Sequence, residues 1–147
     1  MLAKVVLVLS AALIAAGIAW HGVSVEAWQR MWRDLIERPG GPMTFRFVLQ
    51  PIMAAAAAWH DGVRDARAGR APFLWTLLHD PHQRLERLSE GITATARIVL
   101  LGLGMDAIYQ LTVLRTFYPV EAVNIAFALA CVPYFLLRGP FARLARR

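Results

Sequence analysis

Leu2–Trp20 reads LAKVVLVLSAALIAAGIAW, a run of 19 residues in which Lys4 carries the only charge. A helix of about 20 apolar residues crosses the hydrocarbon core of a bilayer, so this run predicts a membrane-spanning helix. The whole chain agrees with this interpretation: 58% of its residues are hydrophobic and 18% are charged. Soluble domains have roughly 45–50% apolar residues and about a quarter charged ones. We therefore predict a single integral membrane domain over residues 1–147, and the composition argues against a soluble enzyme domain or a disordered tail.

Two later stretches reach spanning length and a third falls short. Ala94–Leu114 and Val120–Leu137 are long enough, although each carries polar residues. Phe45–Trp59 (FRFVLQPIMAAAAAW) is short and is interrupted by two polar residues and a proline. Its five consecutive alanines suit close helix packing in lipid. This stretch is a full span, a re-entrant half-helix or a segment buried against the other helices.

The distribution of Lys and Arg predicts the orientation, because cytoplasmic loops carry an excess of both. Four spans with the N-terminus inside place 11 of the 16 basic residues on the inner side and 5 on the outer side. Three spans with the N-terminus outside place 14 inside and 2 outside. The count favours three spans, whereas Lys4 and the alanine run favour four. We predict an all-α integral membrane helical bundle of four transmembrane helices, with three as the alternative, and a cytoplasmic C-terminus in both cases.

The first stretch also has features of a cleaved signal peptide. Lys4 provides a charged n-region, and Gly17-Ile18-Ala19 offers small residues at a cleavage site. The single charge and the long apolar run favour an uncleaved anchor over a signal, and cleavage of residues 1–20 stays as the alternative.

Ser24–Arg38 has the pattern of an amphipathic helix. Ser24 is a natural N-cap, Glu26 lies in the first turn, and Pro39-Gly40-Gly41-Pro42 ends the run. The helix either lies in the headgroup region, as its two tryptophans suggest, or packs its apolar face on the bundle. The apolar face comprises Val25, Trp28, Met31, Trp32, Leu35 and Ile36.

Helix boundaries are also readable further along the chain. Asp80 as N-cap and Pro81 at the first helical position predict a helix start, and one long helix can continue to Leu114. Pro119 marks the start of the last span and Gly139-Pro140 its end.

Asp106 is the strongest candidate for function, since it falls near the middle of the third predicted span. A carboxylate there costs about 2.5–3.5 kcal/mol on insertion scales. Tyr109 and Gln110 share its helix face, and four spans place Gln50 and Asn124 at a similar depth. We predict that these five residues form a polar network, which serves as interhelical glue, as a proton or small-ligand site, or as a contact with a partner subunit.

Other catalytic and metal signatures are missing from the sequence. Cys131 is the only cysteine, which excludes an internal disulfide and a multi-cysteine metal site. The histidines lack metal-ligand spacing, and no phosphate loop or nucleophile motif occurs. We predict no catalytic residue, cofactor or metal. An enzyme acting on lipid headgroups could use Asp61, Asp65 or His79 near the inner surface, although no motif selects that interpretation.

The formal net charge of +6 does not indicate nucleic acid. The basic residues lie between and beyond the apolar stretches, where topology control and anionic lipid headgroups account for them. We predict the lipid bilayer and anionic lipid headgroups as partners.

Four segments carry a family resemblance: GPMTFRFVLQPIMAA (41–55), DGVRDARAGR (61–70), FLWTLLHDP (73–81) and ATARIVLLGLGMDAIYQ (94–110). They resemble a family of small uncharacterised bacterial inner-membrane proteins, over roughly residues 40 to 140. The resemblance implies a bacterial inner membrane and brings no assigned activity or site residues.

The leading functional hypothesis is a non-enzymatic accessory or scaffold component of a membrane complex or homo-oligomer. The alternative is a small transporter or a proton- or ion-conducting oligomer centred on Asp106. A lipid-active enzyme is the third hypothesis.

Overall fold

A computed structural model of the protein describes residues 1–37, 40 and 44–146. The described chain is 87% helix and contains no strand, which confirms the predicted all-α class. A five-residue π-helical turn, Gln110–Leu114, continues the fifth helix. The described residues form six α-helices: α1 Leu2–His21, α2 Val25–Glu37, α3 Arg46–Arg67, α4 Phe73–His79, α5 Pro81–Tyr109 and α6 Pro119–Leu144.

Three of the described helices are long and apolar enough to cross a membrane: α1, α5 with its π-helical turn, and α6. They coincide with the three stretches that the sequence identified by length. α3 is not among them, because its apolar middle is flanked by charged residues at both ends. The structure therefore supports a helical membrane bundle with three such helices.

α3 is longer than the stretch Phe45–Trp59 and runs on to Arg67, which makes it roughly 33 Å long at 1.5 Å per residue. It lies antiparallel to α5. Arg46 near its start contacts Asp106 near the end of α5, and Asp65 near its end contacts Arg87 near the start of α5. α3 thus extends along most of the bundle.

α3 and α6 make the most extensive helix contact. At Gly62 the two backbones approach so closely that a Cβ atom would lie 2.9 Å from the Arg138 carbonyl oxygen and 3.0 Å from the Ala142 nitrogen. Small residues allow such an approach, as in helix pairs within membranes. Every fourth residue along each contact face is buried: Arg46, Gln50, Ala54, Ala58 and Gly62 on α3, and Ala122, Ala126, Ala130, Tyr134, Arg138 and Ala142 on α6.

α6 begins at Pro119 as predicted, but the predicted end at Gly139-Pro140 is wrong, because the helix continues to Leu144. Proline removes one backbone hydrogen bond from a helix interior. The ring of Pro140 is exposed, while Ala142 in the following turn is buried against α3. Packing on α3 therefore outweighs the local stop signal.

The predicted start of α5 is confirmed. The Asp80 carboxylate accepts hydrogen bonds from the backbone N–H groups of His82 at 3.0 Å and Gln83 at 3.3 Å. The helical path reaches Leu114 as expected, although its last turn is π-helical, and Arg115 ends it in the left-handed conformation at φ 52°.

The amphipathic helix α2 is also confirmed, with Ser24 Oγ accepting a hydrogen bond from the Ala27 N–H at 3.1 Å. Met31 on its apolar face is buried, whereas Trp28 and Trp32 are 57% and 47% exposed. α2 contacts the other helices only sparsely. Neither tryptophan is therefore buried in the bundle. Arg38, the Leu35 side chain and most of the predicted stop at 39–42 lie outside the described residues.

Candidate polar sites in the bundle

A polar network joins α3 to α5 around Asp106. Arg46 donates to one carboxylate oxygen of Asp106 in a buried ion pair, and the Gln110 side-chain N–H donates to the other oxygen. Arg46 Nε also donates to Gln50 Oε1 at 3.1 Å, and Gln50 Nε2 donates to the Ile98 carbonyl at 3.2 Å. We call Arg46, Gln50, Asp106 and Gln110 the Asp106 network. None of the four is more than 2% exposed, so their side chains depend on one another for hydrogen bonds.

Gln110 extends the network into the connection between α5 and α6. Its side-chain oxygen accepts from the Tyr118 N–H, and its Nε2 also lies 3.4 Å from the Tyr118 carbonyl. Gln110 begins the π-helical turn, which is a common location for functional or strained positions. Here the turn places the Gln110 amide where it can bind both Asp106 and the start of α6.

Gly102 makes room for this network. A Cβ atom at Gly102 would overlap with the side-chain amide of Gln50, and it would lie 3.1 Å from Ala126 Cβ. Only glycine leaves space there for Gln50 to reach the carbonyl of Ile98.

Three of the five residues predicted for the polar network are joined by these hydrogen bonds: Gln50, Asp106 and Gln110. Asn124 is exposed, and its side-chain N–H donates to the Met31 sulfur at 3.1 Å instead. Tyr109 is half-buried beside Gln110.

Sequence reasoning missed Arg46, which it counted only as a charge on the outer side. The available signal was spacing, because Arg46 lies four residues before Gln50 and so shares its helix face. An arginine and a glutamine on one face of an otherwise apolar helix predict a buried acidic partner on a neighbouring helix.

A second set of charges joins the opposite ends of the long helices. We call Asp65, Arg70, Arg87, Glu90 and Arg138 the Asp65 cluster. Asp65 accepts from Arg138 Nε at 2.8 Å, from Arg87 Nη1 at 3.1 Å and from Arg70 Nη1 at 3.4 Å. Glu90 accepts from Arg138 at 3.0 Å, from Arg70 at 3.0 Å and from Arg87 at 3.3 Å. Each guanidinium therefore contacts both carboxylates.

Aromatic rings cover part of the Asp65 cluster. The guanidinium carbon of Arg138 lies 4.4 Å from the centre of the Phe73 ring, a cation–π distance. Arg138 also donates to the Tyr134 hydroxyl at 2.9 Å, and that hydroxyl donates to Asp61 at 2.6 Å. α4 supplies Phe73, so this short helix closes one side of the cluster.

Burial acts to raise the pKa of Asp65, but hydrogen bonds and positive charge from Arg138 and Arg87 outweigh it and hold this pKa below its ordinary value. The carboxylate is therefore ionised at neutral pH. A cavity of about 430 Å³ opens beside Arg70, Glu90 and Arg138, so this cluster borders open space.

The residues suggested for a lipid-active enzyme have separate partners. Asp61 accepts from Tyr134, Asp65 belongs to the cluster, and the His79 ring stacks on Trp75 with 3.8 Å between ring centres. Within the described part of the chain, no group of three or more His, Cys, Asp or Glu side chains is placed to hold a metal ion.

No family model, curated protein or solved structure matches the chain. Function must therefore be argued from the two polar sites and the surfaces around them.

Proposed function

We propose that the chain is a small non-enzymatic membrane protein that acts as a scaffold or accessory component, in a homo-oligomer or a larger membrane complex. The supporting observation is the bonding of Asp106, whose two carboxylate oxygens accept hydrogen bonds from Arg46 and Gln110 in a fully buried site. A carboxylate held in this way links helices. The alternative, ion or proton conduction, requires Asp106 to exchange its partner with water or a cation.

α1 provides the surface on which we place the association. Only 17% of the most apolar 18-residue stretch of α1 is buried, against 44% for the corresponding stretch of α5 and 39% for that of α6. Val6 and Gly17 face the bundle, whereas Ala11, Ala15 and Ala19 lie four residues apart on the opposite, exposed side. Small residues at this spacing are typical of helices that associate within membranes.

Disulfide cross-linking tests the self-associating form of this proposal. In a Cys131→Ala background, Ala15→Cys should give an oxidant-dependent dimer in native membranes. Leu9→Cys, on the flank of the same helix, is the matched control and should cross-link much less. Native mass spectrometry in mild detergent then tests the alternative partner, because a stoichiometric second protein also supports a scaffold role.

The proposal fails if the chain is monomeric, retains no stoichiometric partner and conducts protons in liposomes in a manner that Asp106→Asn abolishes while circular dichroism shows the variant folded. That set of results supports the transport alternative.

We further propose a bacterial inner-membrane location with four spans and both termini in the cytoplasm. The inner-membrane assignment rests on the family resemblance. The antiparallel course of α3 beside α5 supports a fourth crossing over Phe45–Trp59, with the buried Arg46 shielded from lipid by the other helices. The orientation follows from the 11 basic residues on one side of such a bundle against 5 on the other.

Cysteine labelling tests this topology in the same Cys131→Ala background. A cysteine at Gly40 should react with a membrane-impermeant maleimide in intact cells. A cysteine at Ala68, after the end of α3, should react only after permeabilisation. Labelling of both positions from the same side contradicts the fourth span.

A further inference from the structure

A groove lies between α2 and the adjoining ends of α1 and α6. It has a volume of about 290 Å³, and its walls include Gly17 and Ile18 of α1, Ala27 and Trp28 of α2, and Val120 of α6. Because α1 and α6 are long and apolar enough to cross a membrane, their adjoining ends lie at a membrane surface. The groove therefore opens at the depth where lipid headgroups meet acyl chains.

The apolar walls of the groove are left uncovered by the chain itself. α2 buries Met31 against α6, but Trp28 is 57% exposed and Val23 before the helix is 85% exposed. Exposed apolar surface of this kind marks a binding surface or a membrane contact. A volume near the lower limit of about 300 Å³ for ligand pockets suits one hydrocarbon chain better than a whole lipid.

Two oppositely charged side chains, Arg30 and the buried Glu121, also line the groove. The Arg30 guanidinium carbon lies 4.0 Å from the centre of the Tyr118 ring, which holds the side chain in place. Arg30 lines the groove, and its Nε–H is buried without a hydrogen-bond acceptor. A buried donor of this kind is satisfied by an acceptor supplied from outside the chain.

We propose that this groove binds a membrane phospholipid, with one acyl chain between α1, α2 and α6 and the phosphodiester oxygens against Arg30. A guanidinium forms charge-assisted hydrogen bonds with phosphate oxygens. The apolar walls bind the chain, and Trp28 and Trp32 place α2 at the headgroup level. This site is independent of the proposed scaffold role.

Three probes separate the contributions of the chain and the phosphate. Delipidated protein in mild detergent is titrated, under native mass spectrometry, with dioleoylphosphatidylglycerol, with dioleoylglycerol, and with glycerol phosphate. The first should bind with one molecule per chain. The second carries the same acyl chains without phosphate and should bind more weakly. The third carries phosphate without acyl chains and should not bind measurably.

Two pairs of variants locate the site. Arg30→Gln should weaken phosphatidylglycerol binding about tenfold, which corresponds to about 1.4 kcal/mol. Arg33→Gln, on an exposed side chain of the same helix, should leave this binding unchanged. Ala27→Phe fills the groove and should abolish binding of both dioleoyl lipids. Gln29→Phe, on the exposed side of α2, is its control.

Circular dichroism of each variant shows whether α2 and the bundle are folded. Equal weakening by Arg30→Gln and Arg33→Gln indicates non-specific attraction to a basic helix and overturns the proposal. Unchanged binding in folded Ala27→Phe overturns it as well. If the chain does not self-associate but still binds lipid, the result counts against the scaffold role only. The two proposals therefore fail separately.

Discussion

The Asp106 network and the Asp65 cluster join α3 to its neighbours at opposite ends of the bundle, and they differ in redundancy. The Asp106 network contains one carboxylate and one guanidinium, both almost fully buried. In the Asp65 cluster, each of three guanidiniums contacts two carboxylates, and a cavity lies alongside.

This difference predicts unequal sensitivity to mutation. Removing one member of a buried ion pair leaves a buried charge without its counter-charge, which is strongly destabilising. In the Asp65 cluster, Glu90 still accepts a hydrogen bond from each of the three guanidiniums when Asp65 is changed, although one negative charge then faces three positive ones. We therefore expect the bundle to depend less on one residue where each charge is hydrogen-bonded to two opposite charges, as in the Asp65 cluster.

The largest effect is expected for Arg46→Met. The substitution keeps the length of the side chain but removes the guanidinium beside Asp106. We expect the free energy of unfolding to fall by about 3–5 kcal/mol. The measurement is reversible unfolding by SDS from mild-detergent micelles.

The double variant Arg46→Met with Asp106→Leu is the decisive comparison. Replacing a whole buried ion pair by apolar residues is often neutral, so it should recover most of the lost stability. If Arg46→Met alone loses less stability than the double variant, the result contradicts the role of this ion pair.

The next effect concerns the space that the Asp106 network needs. Gly102→Ala places a methyl group on the Gln50 amide, and overpacking of this kind costs roughly 1–3 kcal/mol. Gly104→Ala is the matched control two residues later, where a Cβ atom meets nothing within 4 Å. It should be neutral or stabilising by up to about 1 kcal/mol, because alanine favours helix more than glycine. Equal losses in the two variants, by the same SDS titration, contradict the specific contact with Gln50.

A smaller effect is expected in the Asp65 cluster. Asp65→Asn removes one negative charge, but Glu90 still accepts from all three arginines. We expect a loss of about 1.5 kcal/mol, at the low end for hydrogen bonds to charged groups. Glu86→Gln, on an exposed side chain beside the same cavity, should change stability very little. If Asp65→Asn loses more stability than Arg46→Met, the result contradicts the expectation that the Asp106 network is the more sensitive of the two sites.

The smallest effect is a difference in acid sensitivity. The pKa of Asp65 is lower in the folded protein than the value of about 3.9 in an unfolded chain, so its ionised form contributes stability above that pH. This contribution is lost as the pH falls through the folded-state pKa. Asp65→Asn should therefore show a shallower loss of stability below about pH 4 than the parent, measured by thermal unfolding in detergent across that range. Identical slopes contradict the lowered pKa.

Sequence reasoning identified most of the helices because their signals are local, but it did not predict α4. Apolar length marked α1, α5 and α6, Asp80 and Ser24 marked N-caps, and apolar residues at helical spacing marked α2. It failed where tertiary contact overrides local preference. α6 passes through Pro140 because Ala142 packs on α3, and the π-helical turn at Gln110 depends on contacts with Asp106 and Tyr118.

The candidate site was predicted in part for the same reason. Asp106 and Gln110 share a face one turn apart, which spacing alone reveals. The partner of Asp106 could not be chosen that way, because Arg46 is 60 residues distant in sequence. The contact with Arg46 means that Asp106→Asn removes the negative charge from a buried ion pair, so we expect this variant to be less stable than the parent.

The distance of 60 residues between Arg46 and Asp106 also bears on biosynthesis. On the proposed four-span topology, α3 leaves the ribosome well before the carboxylate that neutralises its arginine has been made. Arg46 is the first residue of α3, so on this topology it lies near the outer surface, where a long side chain reaches the interface until Asp106 is available. We therefore expect α3 to insert with Arg46 at the membrane surface, and this side chain to become buried only when α5 brings Asp106 beside it.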